Sequence, residues 1–296
     1  MYEKLGSTGI LMYDLLNIIA VVCVLFFNFS NFKNHRDHLS KVSLFLLKAY
    51  KKQNNSKLKN ILTAFEIIII SAIQYLPAAI LNRSFGDAVG TGSNYFGLIL
   101  FIPFILLAFF YLISTNPFKQ LDLIAPAYPL ALIFVKLGCF CSGCCNGIES
   151  EFGFYNYDTG LVEFPSQLLE AGLGLLLFIF MMIYRKKAKE GTLYPVYLFL
   201  YSFTRFFSEF TRSEPEVFWI LKKYHILCLV GMVVGIILLF IVLYLKEDIG
   251  IAYDKAYIFV NKKVEEFAKS YMKKHSVNQK QVHNNKSKNK KNKQRR

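Results

Sequence analysis

The sequence has few charged residues and few cysteines for its length. Only 19% of the 296 residues are charged, whereas a water-soluble domain usually carries about 25%. This low charge argues against a soluble protein, and six cysteines are too few for a small disulfide-stabilised scaffold. Hydrophobic residues make up 54% of the chain, which excludes a disordered protein and predicts an integral membrane protein.

The apolar residues are gathered in seven runs that meet or approach the length of a membrane-spanning helix. A hydrocarbon core of about 30 Å needs about 20 residues at 1.5 Å per residue. The first run has no basic leading segment and no small-residue cleavage site, so we expect no cleaved signal peptide. The sequence predicts an all-α integral membrane protein, a bundle of about seven transmembrane helices that forms a domain over residues 1–246. The predicted spans are 10–29, 61–82, 94–115, 121–140, 165–184, 192–211 and 225–245.

Lysine and arginine are distributed unevenly between the predicted loops. The first loop has eight basic residues between Lys33 and Lys59, and the fifth has four between Arg185 and Lys189. The fourth loop, 141–164, has no lysine or arginine. Because basic loops remain in the cytoplasm, this pattern predicts an N-terminus outside the cell and a C-terminus in the cytoplasm.

The formal net charge of +15 is concentrated at the end of the chain. Residues 267–296 contain eleven Lys and Arg but no Asp or Glu. We expect residues 247–296 to form a basic cytoplasmic tail that is disordered from about residue 275. The charge therefore reflects membrane orientation, and we predict a membrane but no nucleic acid as a partner.

Ionisable residues lie on one face of the sixth predicted span. Tyr201, Arg205, Glu209 and Arg212 are spaced i, i+4, i+8 and i+11. Charged groups within a membrane cost at least about 2.5 kcal/mol each, so they normally face a cavity or one another. An arginine held by Glu209 would present a planar fork to phosphate oxygens. The alternative is an Arg205–Glu209 pair that only neutralises itself, and Lys136 either adds charge to the same cavity or extends to the membrane surface.

Four cysteines follow Lys136 within seven residues: Cys139, Cys141, Cys144 and Cys145. Cys141 and Cys144 have the C-x-x-C spacing of redox proteins, and four thiolates could bind a metal ion. However, structural zinc sites usually combine two separated pairs, and no histidine lies nearby in the sequence. We interpret the cysteines as small packing residues beside a glycine turn, with a redox disulfide or a metal site as alternatives. We predict no metal ion and no cofactor.

Three sequence blocks resemble the bacterial prolipoprotein diacylglyceryl transferase family. The second block is similar to the family's Pro-Ser-Gln-Leu-Tyr-Glu motif, and the third matches its pattern of Tyr, Arg, Phe, Glu and Arg. The family's His-Gly-Gly motif is absent, and Tyr95-Phe96-Gly97 stands at its place. Lys136 stands where the family has arginine, which keeps the charge but loses the bidentate fork. The blocks are Asp122 to Pro126 with Lys136 to Phe140 and Gly147, then Phe164 to Glu170, then Tyr201 to Arg212.

The resemblance implies a transferase that moves a diacylglyceryl group from phosphatidylglycerol to the cysteine thiol of a lipobox-containing prolipoprotein, at the outer face of the bacterial plasma membrane. It implies that Arg205 contacts the lipid phosphate, that Glu209 holds Arg205, and that Tyr201 lines the catalytic pocket. The missing histidine leaves a non-catalytic lipid- or lipoprotein-binding relative as an alternative. A second alternative, based on the cysteines, is a membrane thiol redox protein that uses Cys141 and Cys144. The expected substrate-binding residues are Lys136, Gly138, Gly147, Gln167, Glu170, Arg212, Tyr13 and Tyr95.

Overall fold

The structure is a computed structural model that describes residues 6–34, 56–89, 95–113, 117–145, 147–156 and 159–245. The predicted basic tail, 247–296, lies outside these residues. The described part is mostly helical, and α8 continues as one π-helical turn, Ile241–Leu245. Its α-helices are α1 (Gly6–Asn34), α2 (Ser56–Val89), α3 (Tyr95–Ile113), α4 (Pro117–Ile124), α5 (Ala127–Ser142), α6 (Ser166–Tyr184), α7 (Leu193–Glu209) and α8 (Lys223–Phe240).

Each of the seven predicted spans falls on one or more of these helices. Four helical segments of the described residues are long and apolar enough to cross a membrane by themselves. The structure therefore shows a mostly helical protein with four candidate membrane-spanning helices, and seven crossings stay a prediction. The four segments are Leu11–Lys33, Pro117–Ser142, Ser166–Tyr184 and Lys223–Leu245.

Two short β-hairpins make the prediction of an all-α fold wrong in detail. The strands β1 (Glu149–Asn156) and β2 (Leu161–Glu163) pair antiparallel in the loop between α5 and α6. The strands β3 (Glu216–Phe218) and β4 (Leu221–Lys222) pair in the same way between α7 and α8. Most side chains of β1 are exposed or half-buried. No face of this strand is buried along its length, so its sequence lacks the alternation of apolar and polar residues by which a strand is recognised.

The predicted fourth span, 121–140, consists of two helices. The helix α4 ends at Ile124, and α5 begins at Ala127. Pro126 lies in the turn between them; proline lacks the N–H that a continuous helix would use, and its ring restricts the preceding residue. The chain therefore crosses this region as a short helix followed by a longer one.

The carboxylate of Asp122 links two helices. Asp122 lies near the end of α4, and its carboxylate accepts hydrogen bonds from the backbone N–H groups of Gly191, at 2.6 Å, and Leu193, at 3.0 Å. Leu193 is the first residue of α7, and Gly191 lies in the turn just before it. A carboxylate is favourable there because it meets unpaired N–H groups and the positive end of the helix dipole. Asp122 thus connects α4 to the helix that carries the polar face.

A column of tyrosine rings fills the core between α5 and α7. The rings of Tyr128 and Tyr197 stack with their centroids 5.8 Å apart, and those of Tyr197 and Tyr201 stack at 5.9 Å. Tyr194 donates a hydrogen bond of 2.7 Å from its hydroxyl to the carbonyl of Ile99 on α3. All four tyrosines are buried. This rigid packing fixes the rotation of α7 about its axis and turns its ionisable face inward.

Candidate active site

The face of α7 that carries Tyr201, Arg205 and Glu209 is buried inside the protein. Arg205 Nη2 lies 2.5 Å from Glu209 Oε2, one helical turn away. Arg205 Nη1 also donates a hydrogen bond of 3.2 Å to the hydroxyl of Ser208. The i, i+4 spacing read from the sequence thus produces an ion pair that sets the direction of the guanidinium.

Glu170 lies at the centre of the site and contacts three basic side chains from different parts of the chain. Lys136 Nζ is 2.7 Å from Glu170 Oε2. Arg205 Nη1 and Arg212 Nη1 lie 3.4 Å and 3.2 Å from Glu170 Oε1. Glu170 is only 3% exposed, so almost no water screens these interactions. It joins α5, α6 and the end of α7 through one carboxylate.

These five buried side chains do not balance in charge. Lys136, Arg205 and Arg212 carry three positive charges, and the carboxylates of Glu170 and Glu209 carry two negative charges. Buried charge is costly unless it is compensated, so the excess favours binding of an anion. The site is therefore suited to a ligand such as a phosphate ester.

Lys222 adds a further positive charge that sequence reasoning missed. Its ammonium group donates hydrogen bonds to the backbone carbonyls of Glu209, at 3.2 Å, and Arg212. Lys222 belongs to β4, and this hairpin folds it back over the end of α7. The only signal in the sequence was another basic residue on the predicted outer side, where positive charge is otherwise sparse. Its contact with the site depends on the hairpin, which was not predicted.

A small pocket of about 10 Å³ opens beside Arg205 and Glu170. Its walls are both apolar, from Leu132, Leu173 and Leu177, and polar, from Tyr201 and Thr204. This volume holds about one water molecule. A larger anion can enter only if side chains move. The basic groups that contact Glu170 can exchange this carboxylate for the incoming anion.

Gly147 positions Arg212 through the backbone. The two residues form an antiparallel β-bridge, and Ile148 N donates a 2.9 Å hydrogen bond to the carbonyl of Thr211 beside it. A Cβ atom at position 147 would lie 1.9 Å from the carbonyl oxygen of Phe164, so only glycine fits. Gly147 thus packs next to the basic residue Arg212, and its expected role in substrate binding stays a prediction.

The other expected binding residues lie in different surroundings. Gly138 lies where α5 crosses α1, and a Cβ there would be 3.3 Å from Cδ2 of Tyr13. Gln167 is buried and donates a 2.6 Å hydrogen bond to the carbonyl of Cys144. Tyr95 is the first residue of α3, and its side chain lies outside the described part of the structure. Gly138, Tyr13 and Gln167 are therefore arranged around the cysteine-containing turn.

His225 is fully buried at the start of α8. Its Nδ1 accepts a 2.9 Å hydrogen bond from the backbone N–H of Lys222. Its ring packs against the rings of Phe206 and Phe210, with centroids 4.9 Å and 4.3 Å away. Because Nδ1 accepts this hydrogen bond, the neutral ring carries its proton on Nε2, and the contact with the Lys222 N–H helps to begin α8.

The turn after α5 brings three cysteine thiols together. The Sγ atoms of Cys139, Cys144 and Cys145 all lie within 4.8 Å of one another, whereas Cys141 is not part of this group. Gly143 and Cys145 both have left-handed backbone conformations, with φ of 69° and 64°, which turn the chain back over the end of α5. Cys141 of the C-x-x-C pair singled out in the sequence therefore lies outside this group, and all six cysteines are present as free thiols.

Charges in the site affect two groups beyond the membrane-spanning segments. Burial alone would lower the pKa of the Arg212 guanidinium, but Glu170, Cys145 and Glu209 raise that pKa above its ordinary value. Hydrogen bonds from the neighbouring thiols of Cys139 and Cys144, together with the positive charges of Arg212 and Lys136, lower the pKa of the Cys145 thiol. The cysteine turn and the basic cluster thus form one electrostatic unit.

These features define a class of protein: a helical membrane protein with a buried, positively charged site that suits a phosphate-bearing ligand. A family model for prolipoprotein diacylglyceryl transferase matches residues 3–241 of the chain. The chain belongs to the prolipoprotein diacylglyceryl transferase family.

Curated relatives are consistent with this family. The chain is 33% identical over 172 residues to a phosphatidylglycerol–prolipoprotein diacylglyceryl transferase of Campylobacter jejuni subsp. jejuni (strain 81-176). This match covers 55% of this chain and 63% of that protein. It is 32% identical over 172 residues to the protein of the same name from Campylobacter lari, with the same coverage of both chains. It is 34% identical over 109 residues to phosphatidylglycerol–prolipoprotein diacylglyceryl transferase 2 of Clostridium perfringens, which covers 34% of this chain and 43% of that protein. The matched region thus spans less than two thirds of each of these relatives.

Proposed function

We propose that this protein is a transferase that moves a diacylglyceryl group from phosphatidylglycerol to the cysteine thiol of a lipobox-containing prolipoprotein. Its family and the names of its relatives support this reaction. The observation that carries the proposal is the buried cluster of Lys136, Arg205 and Arg212 around Glu170 and Glu209, with its excess of positive charge. Phosphatidylglycerol has one phosphate, whose negative charge would be attracted to that excess.

The basic cluster would act on the leaving group. In the transfer, the acceptor thiol loses its proton to solvent and its sulfur attacks the glyceryl carbon. The bond from that carbon to a phosphate oxygen breaks, and glycerol phosphate departs with the electron pair. Negative charge grows on the departing phosphate, so cations already held in place stabilise the transition state without reorganisation. Arg205 has the planar fork for two phosphate oxygens, and Glu209 fixes its direction.

Substrate entry would exchange one anion for another. Arg205 and Arg212 both contact Glu170 Oε1, and the adjacent pocket has a volume of only about 10 Å³. A phosphate that approaches would compete with this oxygen for the guanidinium groups while Lys136 remains bound to Glu170 Oε2. The apolar wall formed by Leu173 and Leu177 would lie along the acyl chains of the lipid.

The site would face the outer surface of the bacterial plasma membrane. Residues 1–246 would form a multi-pass domain of seven transmembrane helices, with the N-terminus outside, and residues 247–296 would form a basic cytoplasmic tail. The basic loops between the first and second and between the fifth and sixth spans support this orientation. The hairpin β1–β2, whose loop lacks lysine and arginine, would then lie outside beside the site.

A transfer assay with purified protein tests this function. The full chain in detergent is mixed with phosphatidylglycerol and a lipobox peptide, and the thioether product is measured by mass spectrometry. Arg205→Ala should lower kcat/KM by about 100- to 1,000-fold, the usual effect of removing one charge-stabilising donor. Arg205→Lys should recover only part of the loss, because lysine keeps the charge without the fork.

Arg185→Ala is the matched control. Arg185 is a half-buried arginine after α6 that donates to Asn31, apart from the basic cluster. Its loss should leave the transfer rate unchanged. Absence of any thioether product from the native chain, or equal rates for Arg185→Ala and Arg205→Ala, would contradict the proposed function.

A further inference from the structure

The three clustered thiols have the spacing of a metal-binding site. Zinc–sulfur bonds are about 2.3 Å, so sulfurs around a tetrahedral zinc ion lie about 3.8 Å apart. The Sγ atoms of Cys139, Cys144 and Cys145 already lie within 4.8 Å of one another. Each pair needs to approach by about 1 Å at most, which side-chain rotation at the turn can supply. Thiolates are soft ligands that select zinc over calcium or magnesium.

Polar side chains next to the thiols hold the turn in place, as groups around a metal ion hold its ligands. Cys139 is buried at the end of α5, whereas Cys144 is exposed and open to solvent. Ser142 Oγ lies 3.2 Å from Cys144 Sγ, and Gln167 holds the Cys144 carbonyl at 2.6 Å. Groups that orient ligands in this way are typical of metal sites. Exposure on one side leaves room for a fourth ligand from outside the protein.

The neighbouring charges also suit such a centre. Three thiolates and one Zn²⁺ ion carry a net charge of −1, and the cations of Lys136 and Arg212 act on Cys145 at the edge of the cluster. They would stabilise the anionic complex as a whole, although they would repel a free metal ion. The metal would then lie directly beside the cluster that we propose binds the phosphate.

We propose that Cys139, Cys144 and Cys145 bind one Zn²⁺ ion, and that the cysteine thiol of the acceptor protein occupies its fourth position. This inference rests on the proposed transferase function. Catalytic zinc sites have this arrangement of three protein ligands and one open position. A thiol bound to such an ion is deprotonated, so the metal would remove the proton that the acceptor thiol must lose before it attacks.

The step balances without an added oxidant or reductant. The acceptor thiol replaces a water molecule on zinc and releases its proton to solvent at the exposed side near Cys144. The zinc-bound sulfur then attacks the glyceryl carbon, the carbon–oxygen bond to the phosphate breaks, and its electron pair leaves on glycerol phosphate. The thioether product is a neutral, weak ligand, so water displaces it from the metal.

Metal binding is tested on the full chain in detergent, reduced and freed of metal, with Co²⁺ as a coloured substitute for Zn²⁺. We expect one equivalent to bind with the sulfur-to-metal absorption of a thiolate site. The variants Cys139→Ser, Cys144→Ser and Cys145→Ser should lose this binding. Cys141→Ser, from the same turn but outside the cluster, should keep it and serves as the matched control.

A second measurement addresses the open position. A lipobox peptide with a free thiol should shift the visible Co²⁺ spectrum, whereas the same peptide with serine in place of cysteine should not. The metal site would be overturned if no stoichiometric binding occurs or if the triple serine variant binds the metal equally well. It would also be overturned if two of the three cysteines form a disulfide that persists after treatment with a reductant.

The transfer assay separates this inference from the proposed function. If metal-free protein and Cys145→Ser form thioether at the native rate, the zinc inference fails while the transferase function stands. If the metal binds and responds to the thiol peptide but no thioether forms from phosphatidylglycerol, the transferase function fails while the thiolate site stands. Loss of product on removal of zinc, with recovery when zinc is returned, supports both.

Discussion

At the scale of single residues, Glu170 and Glu214 contact the same arginine in opposite environments. Glu170 is 3% exposed and lies 3.2 Å from Arg212 Nη1, whereas Glu214 is 43% exposed and lies 3.6 Å from Arg212 Nη2. Removing one partner of a buried ion pair leaves an uncompensated charge, but removing an exposed partner exchanges the protein contact for water. The two positions therefore form a matched pair for measuring what burial contributes.

Glu170→Gln should lower the free energy of unfolding by about 3–5 kcal/mol, because it removes the buried negative charge that Lys136, Arg205 and Arg212 share. Glu214→Gln should change it by less than about 1 kcal/mol. Thermal unfolding of the purified chain in detergent, followed by circular dichroism, measures both. Equal midpoints for the two variants would mean that Glu170 does not hold the cluster together.

The sequence predicted the contact within α7 but not the role of Glu170. Arg205 and Glu209 are four residues apart on one helix, so their approach follows from helix geometry alone. The contacts of Glu170 join residues that lie 34 to 42 positions away, and no local spacing contains that information. Glu170 was expected among the binding residues, while its position between three cations is a product of how α5, α6 and α7 pack.

At the scale of elements, the segment that follows α5 holds the end of α7 in place. Gly147 pairs with Arg212, and Ser166 donates a 2.6 Å hydrogen bond from its hydroxyl to the carbonyl of Thr211. The close approach of Gly147 to the backbone of Phe164 leaves no space for a side chain. Gly172, in the middle of α6, has no atom within 4 Å of its would-be Cβ.

Gly147→Ala should abolish diacylglyceryl transfer and lower the unfolding midpoint, because its Cβ would lie 1.9 Å from a backbone oxygen and would push the bridge away from Arg212. Gly172→Ala should keep activity and stabilise the protein by up to about 1 kcal/mol through higher helix propensity. Transfer rate and thermal unfolding are measured for both variants. Native activity in Gly147→Ala would show that the bridge does not position Arg212.

Helices could be predicted far better than the hairpins. A long apolar run is a strong signal, because a membrane interior requires every backbone polar group to be paired within the segment. The strands of β3 and β4 are three and two residues long, too short to show a period. Lys222 reaches the site only through this hairpin, so its role could not be inferred before the hairpin was known.

At the scale of the whole molecule, the orientation of the chain in the membrane is a prediction that experiment can test. The distribution of lysine and arginine predicts the N-terminus outside and the C-terminus in the cytoplasm. Short epitope tags are added at each end of the full chain and probed with antibodies on intact spheroplasts and after permeabilisation. The N-terminal tag should be detected in both samples and the C-terminal tag only after permeabilisation. Detection of both tags on intact spheroplasts would contradict an odd number of crossings.

The sequence by itself determined that the protein is helical, that it is built for a membrane, and which face of α7 is polar. These properties follow from composition and from spacing within one element, because hydrophobic length and helix periodicity are local. Only the tertiary structure decided which charges meet at Glu170, that Lys222 joins them, and that Cys139 meets Cys144 and Cys145 rather than Cys141. Such contacts depend on turns with left-handed residues and on the packing of distant helices, which no single segment specifies.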